Sequence, residues 1–242
     1  MPSPRPTRIE AMSAAPELRH GFAVWALHSH RVRTAFVGRG PSADRSVALA
    51  AASPDGELPR LAWPRQVHSA HVLIARPGEC GEGDALVTSE TGLAVAVATA
   101  DCVPILIAGE HRLAAVHAGW RGLADEVLAA AVAALGEPAT SLHAVIGPAI
   151  GPCCYEVGED VAARVAAVSD AAIIVPGRGA RPHLDLQAAA GRQLCRLGVE
   201  VDSIARCTRC HPRELWSYRR DGAAAGRNLA FLWRTVESDV RS

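Results

Sequence analysis

Two stretches, Leu93–Thr99 (LAVAVAT) and Val103–Ala108 (VPILIA), are apolar at almost every position and are separated only by Ala100, Asp101 and Cys102. Runs this short are strands rather than helices, and a strand with no polar side must be covered on both faces. The chain is therefore expected to fold in layers around an interior sheet. Further short apolar runs at 19–25, Val32–Val37, 71–75, 84–88, 112–117, 203–207 and 229–233 also read as strands. Helical spacing is rarer. The segment 123–135 puts Leu123, Val127, Leu128, Val132 and Leu135 on one side and closes at Gly136. A second helix opens after Asp185, a good N-cap, and carries Leu186, Ala190, Leu194 and Leu197 before Gly198; a third spans Glu159–Val168. Strands early and helices mixed in later predict an α+β architecture around a mixed sheet.

Composition narrows the chemistry. The 242 residues include 25 Lys plus Arg, and every one of them is arginine. Without lysine there is no Schiff base, no pyridoxal-phosphate site and no phosphate loop of the Gly-Lys-Ser/Thr kind. A net charge of zero argues against tracking a nucleic-acid polymer. No apolar run approaches the roughly 18 residues of a membrane span, so no membrane partner is expected. The first residues carry Pro and charge where a secretion signal needs an apolar stretch, and seven cysteines are an odd number for a disulfide framework. These features predict a cytoplasmic protein with thiols or metal ligands and a loose tail over 1–17; nothing marks a boundary within 18–242, which is read as one domain of a monomer or weak homo-oligomer.

Three residues of metal-ligand type fall at the ends of apolar strands: His68, Cys102 and His117. One thiolate and two neutral imidazoles suit zinc, and three protein ligands leave a fourth tetrahedral position for water or substrate. The alternative is a buried cysteine and two hydrogen-bonded histidines. Asp101 either orients a histidine from behind or caps a turn, and His71 reads as a surface residue on the opposite face from His68. Arg121 follows His117-Ala118-Gly119-Trp120 at the start of a helix, where an anion would be attracted; an ordinary turn with a solvated arginine is the other reading. Six arginines between Arg206 and Arg227, Arg219 and Arg220 among them, offer either an anion site or a solvated face.

Two cysteine motifs remain. Cys153-Cys154 lies in a loop stiffened by two Gly-Pro pairs, and adjacent cysteines do not easily ligate one metal, so a structural role is expected. Cys207-Thr208-Arg209-Cys210-His211 spells a haem-attachment pattern, which a chain lacking an export signal would not use; a structural zinc would need further ligands, and no second Cys-x-x-Cys exists.

The chain resembles the YfiH/YlmD family, also called the laccase-domain or polyphenol oxidase family. The matching pieces are HGF at 20–22, QVH at 66–68, GDALVT at 83–88, TADCVPILI at 99–107, VHAGWRGL at 116–123, IGPAIGPCCYEVG at 146–158, LDL at 184–186, and SYRRDG with GR at 226–227. The resemblance implies a four-layer α/β/β/α fold with mixed sheets. It also implies a purine nucleoside phosphorylase acting on adenosine, inosine and methylthioadenosine with adenosine deaminase activity. It implies one zinc held by His68, Cys102 and His117, with purine nucleosides and phosphate as partners. Residues 23–60 depart from the family, whose Gly-Gly loop and its arginine are missing; Asp44-Arg45 stands near the family's Asn-Arg. Two other functions compete. A copper polyphenol oxidase would need paired histidines, and the single His-x-His is His28-Ser29-His30; the axial Met of a blue-copper centre would have to be Met1 or Met12. A zinc-free hydrolase would use Cys102 as nucleophile and His117 or His68 as base.

Overall fold

The computed structural model describes residues 15–28, 31–53, 56, 58–177 and 179–235, except the His28 side chain. In chain order the elements are β1 (Glu17–Arg19), β2 (Phe22–His28), β3 (Val32–Val37), α1 (Arg45–Ala52), β4 (Arg60–Arg65), β5 (Val72–Ile74), β6 (Gly78–Glu82), β7 (Ala85–Thr88), β8 (Leu93–Thr99), β9 (Val103–Ala108) and β10 (Leu113–Ala118). Then come α2 (Trp120–Ala124), α3 (Val127–Leu135), β11 (His143–Ile146), α4 (Glu159–Val168), β12 (Ile174–Val175), β13 (His183–Leu184), α5 (Leu186–Leu197), β14 (Glu200–Ser203), α6 (Tyr218–Asp221) and β15 (Asn228–Arg234).

The expected mixed sheet is two large sheets, beside a small two-stranded one, β12-β13. Seven strands run in the order β1-β2-β3-β15-β8-β4-β6 and six in the order β14-β11-β9-β10-β7-β5. Both are mixed: β4 is parallel to β6 and β8, β5 to β7 and β11 to β14, while the other pairs are antiparallel. The two apolar runs are β8 and β9, one in each sheet, so Ala100, Asp101 and Cys102 form the crossover between sheets. Their patterning now has a cause. Leu93, Val95 and Val97 of β8 meet Leu106 of β9 and Leu113 and Ala115 of β10 between the sheets. Ala94 and Ala96 turn outward into the cluster that Phe22, Phe231 and Trp233 share with Ala48, Leu49, Ala51 and Ala52 of α1. Ile105 and Ile107 turn outward under α3 and α5. The result is α/β/β/α, the four layers that the resemblance implies. Among the described residues no helix is long and apolar enough to cross a membrane.

Several element boundaries differ from expectation. The 19–25 run is the end of β1 and most of β2, joined at His20-Gly21, both at positive φ (49° and 80°) as a tight hairpin requires. The helix expected over 123–135 is two. Glu126 adopts φ 58° and separates α2, which ends the His117 strand beside the site, from α3, which buries Val127, Leu128, Ala131, Val132 and Leu135 against the second sheet. The strand expected at 203–207 lies at Glu200–Ser203, paired with β11. Helix α1 falls in the segment that departs from the family and is capped by Asp44, whose carboxylate accepts from the Ser46 and Val47 N–H groups. Residues 1–14 of the expected tail, His28-Ser29-His30 beyond the His28 backbone, and Met1 and Met12 lie outside the described residues, whereas Glu17 already pairs in β1.

Candidate metal centre and its cavity

Sheet register brings the three sequence-predicted ligands together. Ala118 at the end of β10 pairs with Val103 at the start of β9, so Cys102 and His117 are neighbours across adjacent antiparallel strands. His68 arrives from the loop after β4. The ligand atoms of His68, Cys102 and His117 all lie within 4.8 Å of one another. Cys102 Sγ is 3.9 Å from His68 Nε2, and the two imidazoles stand edge to face with centroids 4.8 Å apart. His117 is buried, Cys102 half-buried and His68 exposed.

One residue organises all of this. Asp84, 0 % exposed, accepts from His117 Nδ1 (2.8 Å), from the backbone N–H groups of Val67, His68 and Ser69 (3.3, 3.0 and 2.6 Å), and from the Ser69 hydroxyl (2.8 Å). It therefore fixes the His117 ring and the loop that presents His68, whose φ of 61° is strained for a residue with a Cβ. The sequence reading sought such a carboxylate at Asp101 and overlooked Asp84, although GDALVT set it at a strand start. Asp101 orients neither histidine. At φ 92° it accepts from the Thr208 hydroxyl (2.5 Å) and the Arg219 N–H (2.6 Å), tying the crossover to the C-terminal segments.

Charge follows geometry. Burial would raise the Cys102 pKa, but hydrogen bonds to His117 and His68 and the charge of both rings outweigh it and bring the thiol down to about 6. Burial would lower His117, but hydrogen bonds to Asp84 and Cys102 carry it up to about 9. For Asp84 burial is again opposed by hydrogen bonds, from His117 and Ser69, and the carboxyl is held well below the usual range. Without metal the arrangement is a thiolate and an imidazolium backed by a carboxylate.

The donor set suits a borderline-soft cation. With Nδ1 committed to Asp84, His117 presents Nε2, the carboxylate–histidine arrangement that orients metal ligands. Gly119 leaves the space: a Cβ there would stand 3.0 Å from His68 Cδ2 and 3.1 Å from Cys102 Sγ. Gly119→Ala is expected to leave the protein folded and to weaken metal binding at least about tenfold, by displacing two of the three ligands. Titration with a competing chromophoric chelator measures it.

The ligands line a cavity of about 700 Å³, which Trp63, Trp120 and Tyr155 also line, together with Arg45, Arg121, Arg219 and Arg227. Arg121 stacks on Trp120 (4.4 Å) and Arg219 on Tyr155 (5.0 Å). Helix α2 has only five residues, so its dipole adds little, and any attraction for an anion there would come from the Arg121 side chain. Arg45, from the divergent segment, was not anticipated as a wall residue. Arg220 is placed elsewhere. Its guanidinium is committed to Asp221 (2.7 and 2.8 Å) and to the Thr208, Arg209 and Leu215 carbonyls, and it does not line the cavity. His71 is exposed, and its ring Nδ1 meets the Glu82 carbonyl (2.8 Å) away from the three ligands.

A family model described as multi-copper polyphenol oxidoreductase laccase matches residues 42–235. The chain belongs to this laccase-domain family. A purine nucleoside phosphorylase of Xylella fastidiosa (strain 9a5c) is 42% identical over 189 residues, 71% of each chain. The purine nucleoside phosphorylase of Streptomyces coelicolor is 43% identical over 197 residues, covering 76% of this chain and 79% of its own. The crystal structure of a Neisseria meningitidis protein superposes with a TM-score of 0.73 at 30% identity, covering 96% of this chain and all of that one. Like the resemblance from motifs, the laccase-domain family implies a metal, and the His68–Cys102–His117 group is one that could hold it.

Proposed function

We propose that this chain is a zinc-dependent purine nucleoside phosphorylase acting on adenosine, inosine and methylthioadenosine, with adenosine deaminase activity at the same site. The observation that carries this reading is the convergence of His68, Cys102 and His117, with His117 held by buried Asp84, in the wall of an arginine-rich cavity. The relatives' names support the phosphorylase part. Cys102 Sγ and the imidazoles of His68 and His117 would hold the zinc, which when bound supplies Lewis-acid polarisation and acidifies water toward neutral pH, as deamination at C6 of adenine needs.

The chain's own residues do the rest. The cavity is within the size range of small-molecule sites, and Trp63, Trp120 and Tyr155 offer flat faces for a purine. Arg121 and Arg219 are assigned the phosphate, whose oxygens match the guanidinium fork. They hold the nucleophile while its oxygen bonds to C1′, the C1′–N9 bond breaks and the purine leaves carrying the proton that the hydrogen phosphate gives up. Seven unpaired cysteines fit a reducing compartment such as the cytoplasm.

Zinc-loaded protein is expected to convert adenosine and inorganic phosphate to adenine and ribose 1-phosphate, and adenosine alone to inosine, read by chromatographic separation. No adenine, inosine or hypoxanthine would overturn the proposal. Stoichiometric copper in protein isolated without added metal would move the reading to a polyphenol oxidase. The Cys102–His117–Asp84 chain specifically favours a second reading, a metal-free Cys-His hydrolase. Activity that survives complete chelation is its signature.

A further inference from the structure

Away from the cavity ligands, four more sulfurs converge. Cys153 and Cys154 come from the rigid Gly-Pro loop and Cys207 and Cys210 from the turn before α6; all four Sγ atoms lie within 4.8 Å of one another. Cys153 Sγ and Cys154 Sγ stand 3.6 and 3.4 Å from Cys210 Sγ. We propose that Cys153, Cys154, Cys207 and Cys210 bind one structural zinc ion, distinct from the metal held by His68, Cys102 and His117.

Geometry carries the argument. Four thiolates at a zinc–sulfur distance of ~2.3 Å stand ~3.8 Å apart, whereas a disulfide brings two sulfurs to ~2.05 Å. The observed separations match the first arrangement, and all seven described cysteines are free. A disulfide also needs only two sulfurs, and nothing in it would gather four. The objection from adjacency is met by the loop itself. Cys154 N and Tyr155 N both bond back to the Gly151 carbonyl, and this tight turn lets both neighbouring side chains face Cys210. The Cys207-x-x-Cys210 arm is tied to the Gly-Pro loop at sulfur as well: the Gly151 N–H donates to Cys207 Sγ (3.3 Å). The arms meet closely at Gly151, where a Cβ would stand 3.3 Å from Cys207 Cβ and 3.4 Å from Cys153 Sγ. The missing second Cys-x-x-Cys is thus supplied by the Cys153-Cys154 pair.

The role follows from what the two arms carry. The Ala149–Cys207 bridge and the Thr208 N–H to Ala149 carbonyl bond already pair the segments. One arm runs on into Tyr155 of the cavity wall; the other contains Thr208, whose hydroxyl donates to Asp101 beside Cys102. A metal linking the arms fixes the wall of the cavity without entering it.

The experiment is metal stoichiometry on reduced, full-length protein grown with zinc. Wild type is expected to hold two zinc ions per chain, and a His68→Ala/Cys102→Ser/His117→Ala variant to keep one. Cobalt substituted into that variant is expected to show the intense visible bands of a tetrahedral thiolate site, and stripping it with a chelator to lower the Tm. Cys207→Ser/Cys210→Ser is expected to retain the cavity metal alone; if it fails to fold, the triple variant still decides. A triple variant that folds and holds no zinc, sulfur-bound iron in place of zinc, or a disulfide among these four in protein kept under reducing conditions would each overturn the proposal. None of these readings depends on nucleoside turnover, so failure of the proposed activity leaves the outcome distinct.

Discussion

Cys102→Ser is expected to lower nucleoside turnover by on the order of 10³-fold or more while leaving the fold in place. The substitution removes one heavy-atom identity and little volume at a half-buried crossover, so packing gives no reason for unfolding. A serine hydroxyl, however, is not ionised near neutral pH and is a poor zinc ligand, which leaves two imidazoles where three donors stood. Three readouts should move together: turnover collapses, one equivalent of zinc is lost, and the circular dichroism spectrum is unchanged. The metal-free wild type supplies an independent check. Its Cys102 thiol is brought down to about 6, so the thiolate predominates at pH 7 and should be alkylated readily, with reactivity falling as pH drops below about 6. Zinc added first should protect it. Full turnover by Cys102→Ser would remove the thiolate from the chemistry altogether.

What could be read from residues alone divides by the range of the interaction. Strands β8 and β9 and helices α4 and α5 announce themselves locally, through continuous apolarity or helical spacing with Asp185 and Gly198 as stops. The missed elements have weak local signals that pairing overrides. Strand β6 is GECGE, with Gly78 and Gly81 at positive φ, and β4 contains Pro64; each is a strand because a neighbour pairs with it. The number of sheets was hidden for the same reason, since an all-apolar strand is equally content between two sheets or between a sheet and a helix. At the site, ligand chemistry marked His68, Cys102 and His117, whereas Asp84 was invisible as an organiser because its five partners lie 15 to 33 residues away or depend on the loop path. Arg219 and Arg220 look alike in sequence, and only the fold separates them: Arg219 lines the cavity while Arg220 caps carbonyls. The four-cysteine cluster was the largest surprise, because its two arms are far apart in the chain.

Asp84 supports the sharpest remaining expectation. All five of its hydrogen-bond partners are donors, and none of the carboxylate is exposed. Asp84→Ala leaves those donors without a partner and is expected to cost about 3–5 kcal/mol of stability, the usual penalty for breaking a buried charge-assisted network. Asp84→Asn is the more discriminating change. It keeps the shape but turns an amide N–H₂ toward a donor, so either the His117 ring or the His68 loop must give way. The expected result is a 10- to 100-fold loss of zinc affinity in the folded protein, measured by chelator competition well below the melting temperature. A purely structural role would lower the Tm and leave that affinity alone. The metal-free variant gives a second signature. Against the opposing effect of burial, the Asp84 hydrogen bond is the foremost influence holding His117 up at about 9. Without the carboxylate that value must fall, so imidazole proton resonances should report a His117 that loses its proton at lower pH than in the wild type. An unchanged titration together with unchanged zinc affinity would mean that Asp84 holds the loop and nothing else.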